Sequence, residues 1–522
     1  MENPFPISLP GQPSPAETPI AAQSSSINKS IIQFIWNEKT NRQYLWVALG
    51  GTLAQFIIFK FLYPFPDFFS DSYSYLFAAY AHLDVSIWPI GYSKFLAAFH
   101  HLTSSDLALV AFQYFFLELA ALYFYFTILY FFRLGRPYRN ILFALLFFSP
   151  MTLYICNYVN SDALFAAVSL FWFTELIWIV KRPGLYQVFT QAILVTVAFT
   201  IRNNAYYYPV LSVLAFAMSR QRPLVKWAGG ILGLLLIGGF ILHTREAAYQ
   251  LTGTRQFSLF TGWQIANNAL YTYDKVIVDS NDLPTPRAKL INRESIRFFN
   301  QVNKEQFNDF LYTNPGNFFI QFPASPLKTY LYKHYKFKDE YGSIVAWGMA
   351  SADFAPFGNS IIKSHPLSFV RYFILPNASN YFIPPLEKLE KYNLGADSVE
   401  PMAVYWFHYS FPRVKAISKD FQASFLFLYP WLFLVGNLFI IGQLAWYWVK
   451  RRDMPDALLF NRPLILFAGF WLANLVFGIF ATILVLRYEF APMILIITID
   501  LLLLERAENL SLIYKGSGNS GK

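Results

Sequence analysis

Ten stretches of this chain are long, apolar and almost free of charge, which leaves few folds open to it. They lie near residues 44–63, 107–132, 140–157, 163–180, 185–201, 205–219, 227–243, 423–449, 463–486 and 489–505. In lipid each backbone amide must find its partner within the protein, so runs of this length read as membrane-spanning helices. The residue balance agrees, with 55% hydrophobic and 14% charged residues, where a soluble domain carries roughly 25% charge. A soluble enzyme is thereby excluded. The lone cysteine, Cys156, rules out an intrachain disulfide. The pair of runs flanking Arg202 is short for a crossing, and a re-entrant hairpin is the alternative there.

Charge placement orients the spans. The turns after the second, fourth, sixth and eighth runs carry 12 basic residues, from Arg133 to Arg462, against the two acids Asp453 and Asp456. The loop at 65–106 holds Asp67, Asp71, Asp84 and Asp106 with a single lysine, Lys94. The positive-inside rule puts both termini in the cytoplasm and this loop outside. The net charge of +10 is then a topology signal, and no nucleic-acid partner is expected. The expected organisation is a flexible cytoplasmic tail over 1–42, a transmembrane module over 43–243, an external domain over 244–422, closing spans over 423–506 and a tail over 507–522. A stretch as long as 244–422 reads as a folded domain rather than a loop. Within it, Pro286 marks a helix start, and "PLSFVRYFILPNASNYFIPPLEKL" reads as short helices broken by proline.

With so few charges, the outliers carry the chemistry. Asp71 follows the first span and precedes "SYSYLFAA", so it reads as a helix cap, a general base or a metal ligand. Asp162, in "CNYVNSDALFAA", reads the same way, and two such carboxylates on one membrane face form a candidate Mg²⁺ or Mn²⁺ site. Arg202 in "TIRNNAYYYPVL" and Arg487 in "LVLRYEFAPM", with Tyr488 beside it, face outward against the positive-inside trend. Either snorkels, or clamps a phosphate, to which the guanidinium fork is suited. Trp263, Asn267 and Asn268 offer stacking and hydrogen-bonding groups for a sugar or acceptor, or ordinary core and capping groups. His365, Arg371 and His408 are further polar outliers, Glu118 within the second run reads as a structural hydrogen-bonding group, and "NAS" at 377–379 has the form of a glycosylation acceptor. No phosphate-loop, dinucleotide or zinc-helix pattern is present.

The loop "DSYSYLFAAYAHLDVSIWPIGYSKFLAAFH" resembles the first external loop of the integral-membrane GT-C glycosyltransferases, the bacterial relatives of protein O-mannosyltransferases and of the aminoarabinose transferase. The matching positions are Asp71, Tyr75, Gly91 and Tyr92, with Asp162, the "RNNAYYYP" segment at Arg202, and Arg487, Tyr488 and Pro492 further along. Where the protein O-mannosyltransferases carry a paired acidic motif, this chain has Ser72 after Asp71. The resemblance covers most of residues 44–505 through short motifs. It implies an all-α bundle of about ten transmembrane helices with an external α-rich domain. It further implies an inverting transferase that takes a sugar from a polyprenyl-phosphate donor to a glycan, lipid or protein acceptor. Asp71 and Asp162 would be catalytic, and Arg202, Arg487, Tyr488, Tyr75 and Tyr92 would hold the donor. A polysaccharide polymerase or ligase, and a lipid or glycan flippase, are the alternatives. The first would rest on His365 and Arg371, the second on polar groups at mid-bilayer depth.

Overall fold

The computed structural model describes residues 30–303, 307–308, 316–451, 457–481 and 483–519. Most of the proline-rich amino-terminal tail therefore lies outside the described residues. Within residues 30–42, placed in that tail by the expected boundaries, 31–37 and 39–42 are helical. Ser30 forms a capping box with Gln33 and starts α1, Ile31–Asn37, and α2, Lys39–Leu62, follows directly.

Every described element is helical, and among the described residues no strand forms beyond two isolated bridges. After α2 come α3 (Ser70–Tyr80), α4 (Gly91–His100), α5 (Asp106–Phe131), α6 (Arg136–Phe147) and α7 (Pro150–Asn157). They are followed by α8 (Ser161–Lys181), α9 (Gln187–Ile201), α10 (Tyr208–Met218) and α11 (Pro223–Thr252). Next are α12 (Thr261–Leu270), α13 (Pro286–Gln301), α14 (Pro326–His334), α15 (Glu340–Ser364), α16 (Leu375–Phe382) and α17 (Pro401–Phe407). The chain closes with α18 (Tyr429–Lys450), α19 (Ala457–Ala481) and α20 (Phe490–Asn519).

Among the described residues, seven helical stretches are long and apolar enough to cross a membrane: α2, α5, α6 with α7, α8, α11, 421–450 and most of α19. The molecule is thus a polytopic helical membrane protein, with fewer full-length candidates than the ten apolar runs. The shortfall is clearest around Arg202. There α9 has 15 residues and α10 has 11, about 22 and 16 Å of helix against a hydrocarbon core of about 30 Å. The two pack on α11 and α8, as a hairpin wedged into the bundle would. The two ends of the bundle differ chemically. At one end the basic turns meet α20, with the Gly135 amide donating to Glu505 at 2.7 Å and the Tyr138 hydroxyl to Glu508 at 2.5 Å. At the other end lie Asp71, Asp162, Arg202 and Arg487.

Two cores organise the chain. The bundle core is aromatic, with Tyr114, Tyr125 and Trp172 fully buried, and Trp172 stacked on Tyr208 at 3.9 Å. The second core, around Trp263, Phe319, Tyr330, Phe354 and Phe357, belongs to an extramembrane α-domain built from α12 to α15. Helices α12 and α15 cross almost in backbone contact. A Cβ on Gly358 would lie 2.7 Å from the Ala266 amide, and one on Gly262 would collide with the Ser351 carbonyl. Glycine at both crossing points is what permits the approach. A third cluster of Val85, Ile87, Ala248, Leu259 and Ile344 joins the loop after α3 to the end of α11 and the start of α15. It seats the domain on the bundle.

Candidate functional site

Between the bundle and the extramembrane domain lies a cavity of about 800 Å³. Its floor comes from chain segments that are far apart in sequence but stitched together at the same end of the bundle. After α2 the prolines Pro64 and Pro66 keep the chain extended, and Asp67 pairs with the turn after α7. The Asp67 amide donates to the Asn157 carbonyl at 2.9 Å, and Val159 donates back at 3.1 Å. This junction sets the starts of α3 and α8 side by side. Tyr75 on α3 and Ser161 on α8 share a hydrogen bond at 3.1 Å.

Asp71 and Asp162 each sit in the first turn of their helix rather than at the cap. Phe69 is the N-cap of α3, and Asn160 caps α8 by accepting the Ser161 amide at 2.5 Å. A carboxylate there is favoured by the helix dipole while its side chain stays free to face other groups. Asp71 lines the cavity and faces Lys388 Nζ at 3.4 Å. Asp162 lies just behind the wall, 5% exposed, bracketed by both arginines. Its Oδ1 is paired with Arg202, and its Oδ2 accepts from Arg487 Nη1 at 3.2 Å. Arg487 also donates through Nη2 to the Tyr488 hydroxyl at 2.9 Å, and its Nε lies 3.5 Å from Glu387. Tyr488 sits under both guanidiniums, at 4.1 Å from Arg202 and 4.5 Å from Arg487. Arg202, Arg487, Tyr488 and Tyr75 all line the cavity.

Most of the remaining expected residues fall elsewhere. Tyr92 is fully buried beneath Tyr75 and donates to Gln113 at 2.7 Å, a packing role. Gly91 beside it is forced by packing, since a Cβ would lie 2.6 Å from the Thr200 backbone. Trp263 and Asn267 are buried in the extramembrane core. Trp263 stacks on Trp347 at 4.0 Å, and Asn267 holds the Gly316 carbonyl at 2.7 Å and the Phe319 amide at 3.2 Å. Asn268 does line the cavity, and Trp347 presents the ring that Trp263 does not. Asn377 of the "NAS" motif is 3% exposed and donates to Ile479, so it is closed to a glycosylating enzyme. His365, Arg371 and His408 do not line the cavity.

Several cavity residues carry no sequence signal. Glu387 and Lys388 come from the loop after α16, which arches over Asp71. Its backbone is strained, with φ of 54° at Glu387, 48° at Asn393 and 50° at Leu394. Such conformations persist only where neighbours hold them. Here Tyr158 donates to the Lys388 carbonyl at 2.7 Å, and the Asn393 amide donates to Asp67 at 2.8 Å. Asp67 is 2% exposed, and burial pushes its carboxyl up to about 8. It is a structural pin for the loop.

The donor set does not fit a divalent metal. Each carboxylate at the site faces a cation: Asp71 has Lys388, Asp162 has both arginines, and Glu387 has Arg487. Among the described residues no group of three or more His, Cys, Asp or Glu side chains is placed to hold an ion. A Mg²⁺ or Mn²⁺ ion would have to break these pairs, so no step is drawn through one.

Fold and site together define a polytopic α-helical membrane protein with a charged cavity beneath an extramembrane α-domain. The chain matches no family model, no curated protein and no solved structure.

Proposed function

We propose that this chain is a membrane-embedded glycosyltransferase that moves a sugar from a polyprenyl-phosphate donor to an acceptor hydroxyl. The observation that carries the reading is the cavity's division into two chemistries. Arg202, Arg487 and Lys388 line it with guanidinium and ammonium N–H donors, each held by a carboxylate partner. Beside them, Phe477, Phe480, Ile483 and Val485 form an apolar wall that continues into the exposed face of α19. A phosphate joined to a lipid chain has that pair of requirements. The GT-C resemblance of the loop around Asp71 supports the same assignment.

In the proposed step the acceptor oxygen attacks the anomeric carbon while the bond from that carbon to the phosphate oxygen breaks. The acceptor proton passes to the Asp71 carboxylate, and the bonding pair leaves with the phosphate. Arg487 and Arg202 stabilise the charge gathering on the leaving group, and because Asp162 and Tyr488 already hold them, they need not reorganise. Asp162 is a positioning residue in this scheme. One displacement on the face opposite the leaving group gives inversion. The basic turns at the opposite end of the bundle support a reading in which both termini are cytoplasmic and the cavity opens on the external face of the inner membrane.

The test uses the full chain in nanodiscs with polyprenyl monophosphate and the matching polyprenyl alcohol as probes. The phosphate is expected to bind at least tenfold tighter than the alcohol, and Arg487→Gln to remove that preference. With a panel of polyprenyl-phosphate sugars, Asp71→Asn is expected to keep donor binding and to lose about 100-fold or more in transfer. Equal binding of phosphate and alcohol, or full transfer by the Asp71 variant, would overturn the reading.

A further inference from the structure

The cavity has a second end, on the extramembrane domain, that the donor scheme leaves unused. Gln264 and Asn268 lie one turn apart on α12, with Gln264 Nε2 donating to Asn268 Oδ1 at 2.7 Å. Gln321, Lys328 and Trp347 face the same space. Lys328 is in the first turn of α14, its amide donating to the capping hydroxyl of Ser325 at 3.2 Å. Its ammonium lies 4.1 Å from the centre of the Trp347 ring.

Lys328 differs from the other cavity cations. Arg202, Arg487 and Lys388 each have a carboxylate partner. Among the described residues, Lys328 has none, and burial alone pushes its ammonium down to about 8. Lys328 is partly buried and faces the cavity, so an arriving anion meets an ammonium with no competing carboxylate. The neighbours indicate what kind of anion. Beside Ile265 and Ile320, the amides and the indole are groups that recognise hydroxyls and sugar rings.

We infer that the Lys328 end of the cavity is an acceptor subsite for an anionic sugar, with Lys328 pairing with its acidic substituent and Gln264, Asn268 and Gln321 reading its hydroxyls. The inference rests on the proposed function for the word acceptor. The donor end, with Asp71 and Lys388, and the Lys328 end are then two parts of one cavity.

The experiment measures binding to the full chain in nanodiscs of neutral phosphatidylcholine, at low salt. The probes are a neutral β-1,4 tetraglucoside and the tetraglucuronide of the same linkage. The tetraglucuronide is expected to bind about tenfold tighter, the scale of one charge-assisted hydrogen bond. Lys328→Gln should abolish the preference without changing affinity for the neutral chain, and Lys328→Arg should restore it. Asp71→Asn should leave the preference intact, so failure of the transfer chemistry is read separately. Equal affinity for the two probes in the unaltered protein, or an unchanged preference in Lys328→Gln, overturns the inference. A third arm adds phosphatidylglycerol to the nanodiscs. If that lipid erases the preference in the unaltered protein and is itself bound less by Lys328→Gln, the site is a lipid-headgroup site and the acceptor assignment fails.

Discussion

Asp162 holds two guanidiniums at once, and its value lies in that geometry. Removing one partner from a buried ion pair typically costs about 3–5 kcal/mol, because the remaining charge is stranded. Asp162→Asn is therefore expected to lower the thermal unfolding midpoint and to weaken polyprenyl phosphate binding, since both arginines lose their orientation. Asp67 makes a different prediction. Burial pushes its carboxyl up to about 8, whereas the unfolded chain releases that proton near pH 4. Below about pH 4 both states hold the proton and Asp67 has no effect. Between about pH 4 and 8 only the folded state holds it, so its contribution to stability declines as pH rises and levels off above 8. Asp67→Asn should remove this component. Its unfolding midpoint should gain on that of the unaltered protein between pH 5 and 8, by on the order of 5 °C. Parallel pH profiles would refute the role. Legibility in the sequence follows from contrast. Asp71, Arg202 and Arg487 stand out because they interrupt or border apolar runs. Glu387 and Lys388 sit in "LEKLEKYNLGADSVE", where charge is ordinary and nothing marks two of them as cavity residues.

At the level of elements, apolar runs located the helices well and their roles less well. Each of the ten runs is mainly helical where described, yet α9 and α10 are too short to cross alone. The difference lies in length and packing, which hydropathy does not report. The extramembrane helices show the same limit. Thr285 caps α13 by accepting the Ala288 amide at 3.0 Å, a start that Pro286 signals in the sequence. Nothing in "TGWQIANNALYTY" says that Trp263 and Asn267 face the core while Gln264 and Asn268 face the cavity. The α12–α15 crossing decides it, and that crossing depends on glycine. Gly358→Ala would place a methyl group against backbone atoms that cannot rotate away, and is expected to cost about 1–3 kcal/mol. The measurement is the unfolding midpoint of the full chain. A midpoint unchanged from the unaltered protein would mean that the two helices can separate freely.

On the scale of the molecule, orientation is the property that most needs a direct test. Cys156 is buried, so introduced cysteines report cleanly. In intact cells a membrane-impermeant maleimide is expected to label Asp282→Cys, on the extramembrane domain, and to leave Arg222→Cys unlabelled until the cells are opened. The reverse pattern would put the cavity on the cytoplasmic side. The sequence by itself determined the membrane character, the helical class and the chemical difference between the two ends of the bundle. Those properties follow from local composition, because lipid penalises charge and unpaired backbone residue by residue. Only the tertiary structure decided that Asp71, Arg202 and Arg487 share one cavity, that Asp162 braces it from behind, and that Lys328 of the extramembrane domain lines it too. Those relations join segments hundreds of residues apart. They arise from helix crossings and from a strained loop held by buried hydrogen bonds, and no local pattern encodes either.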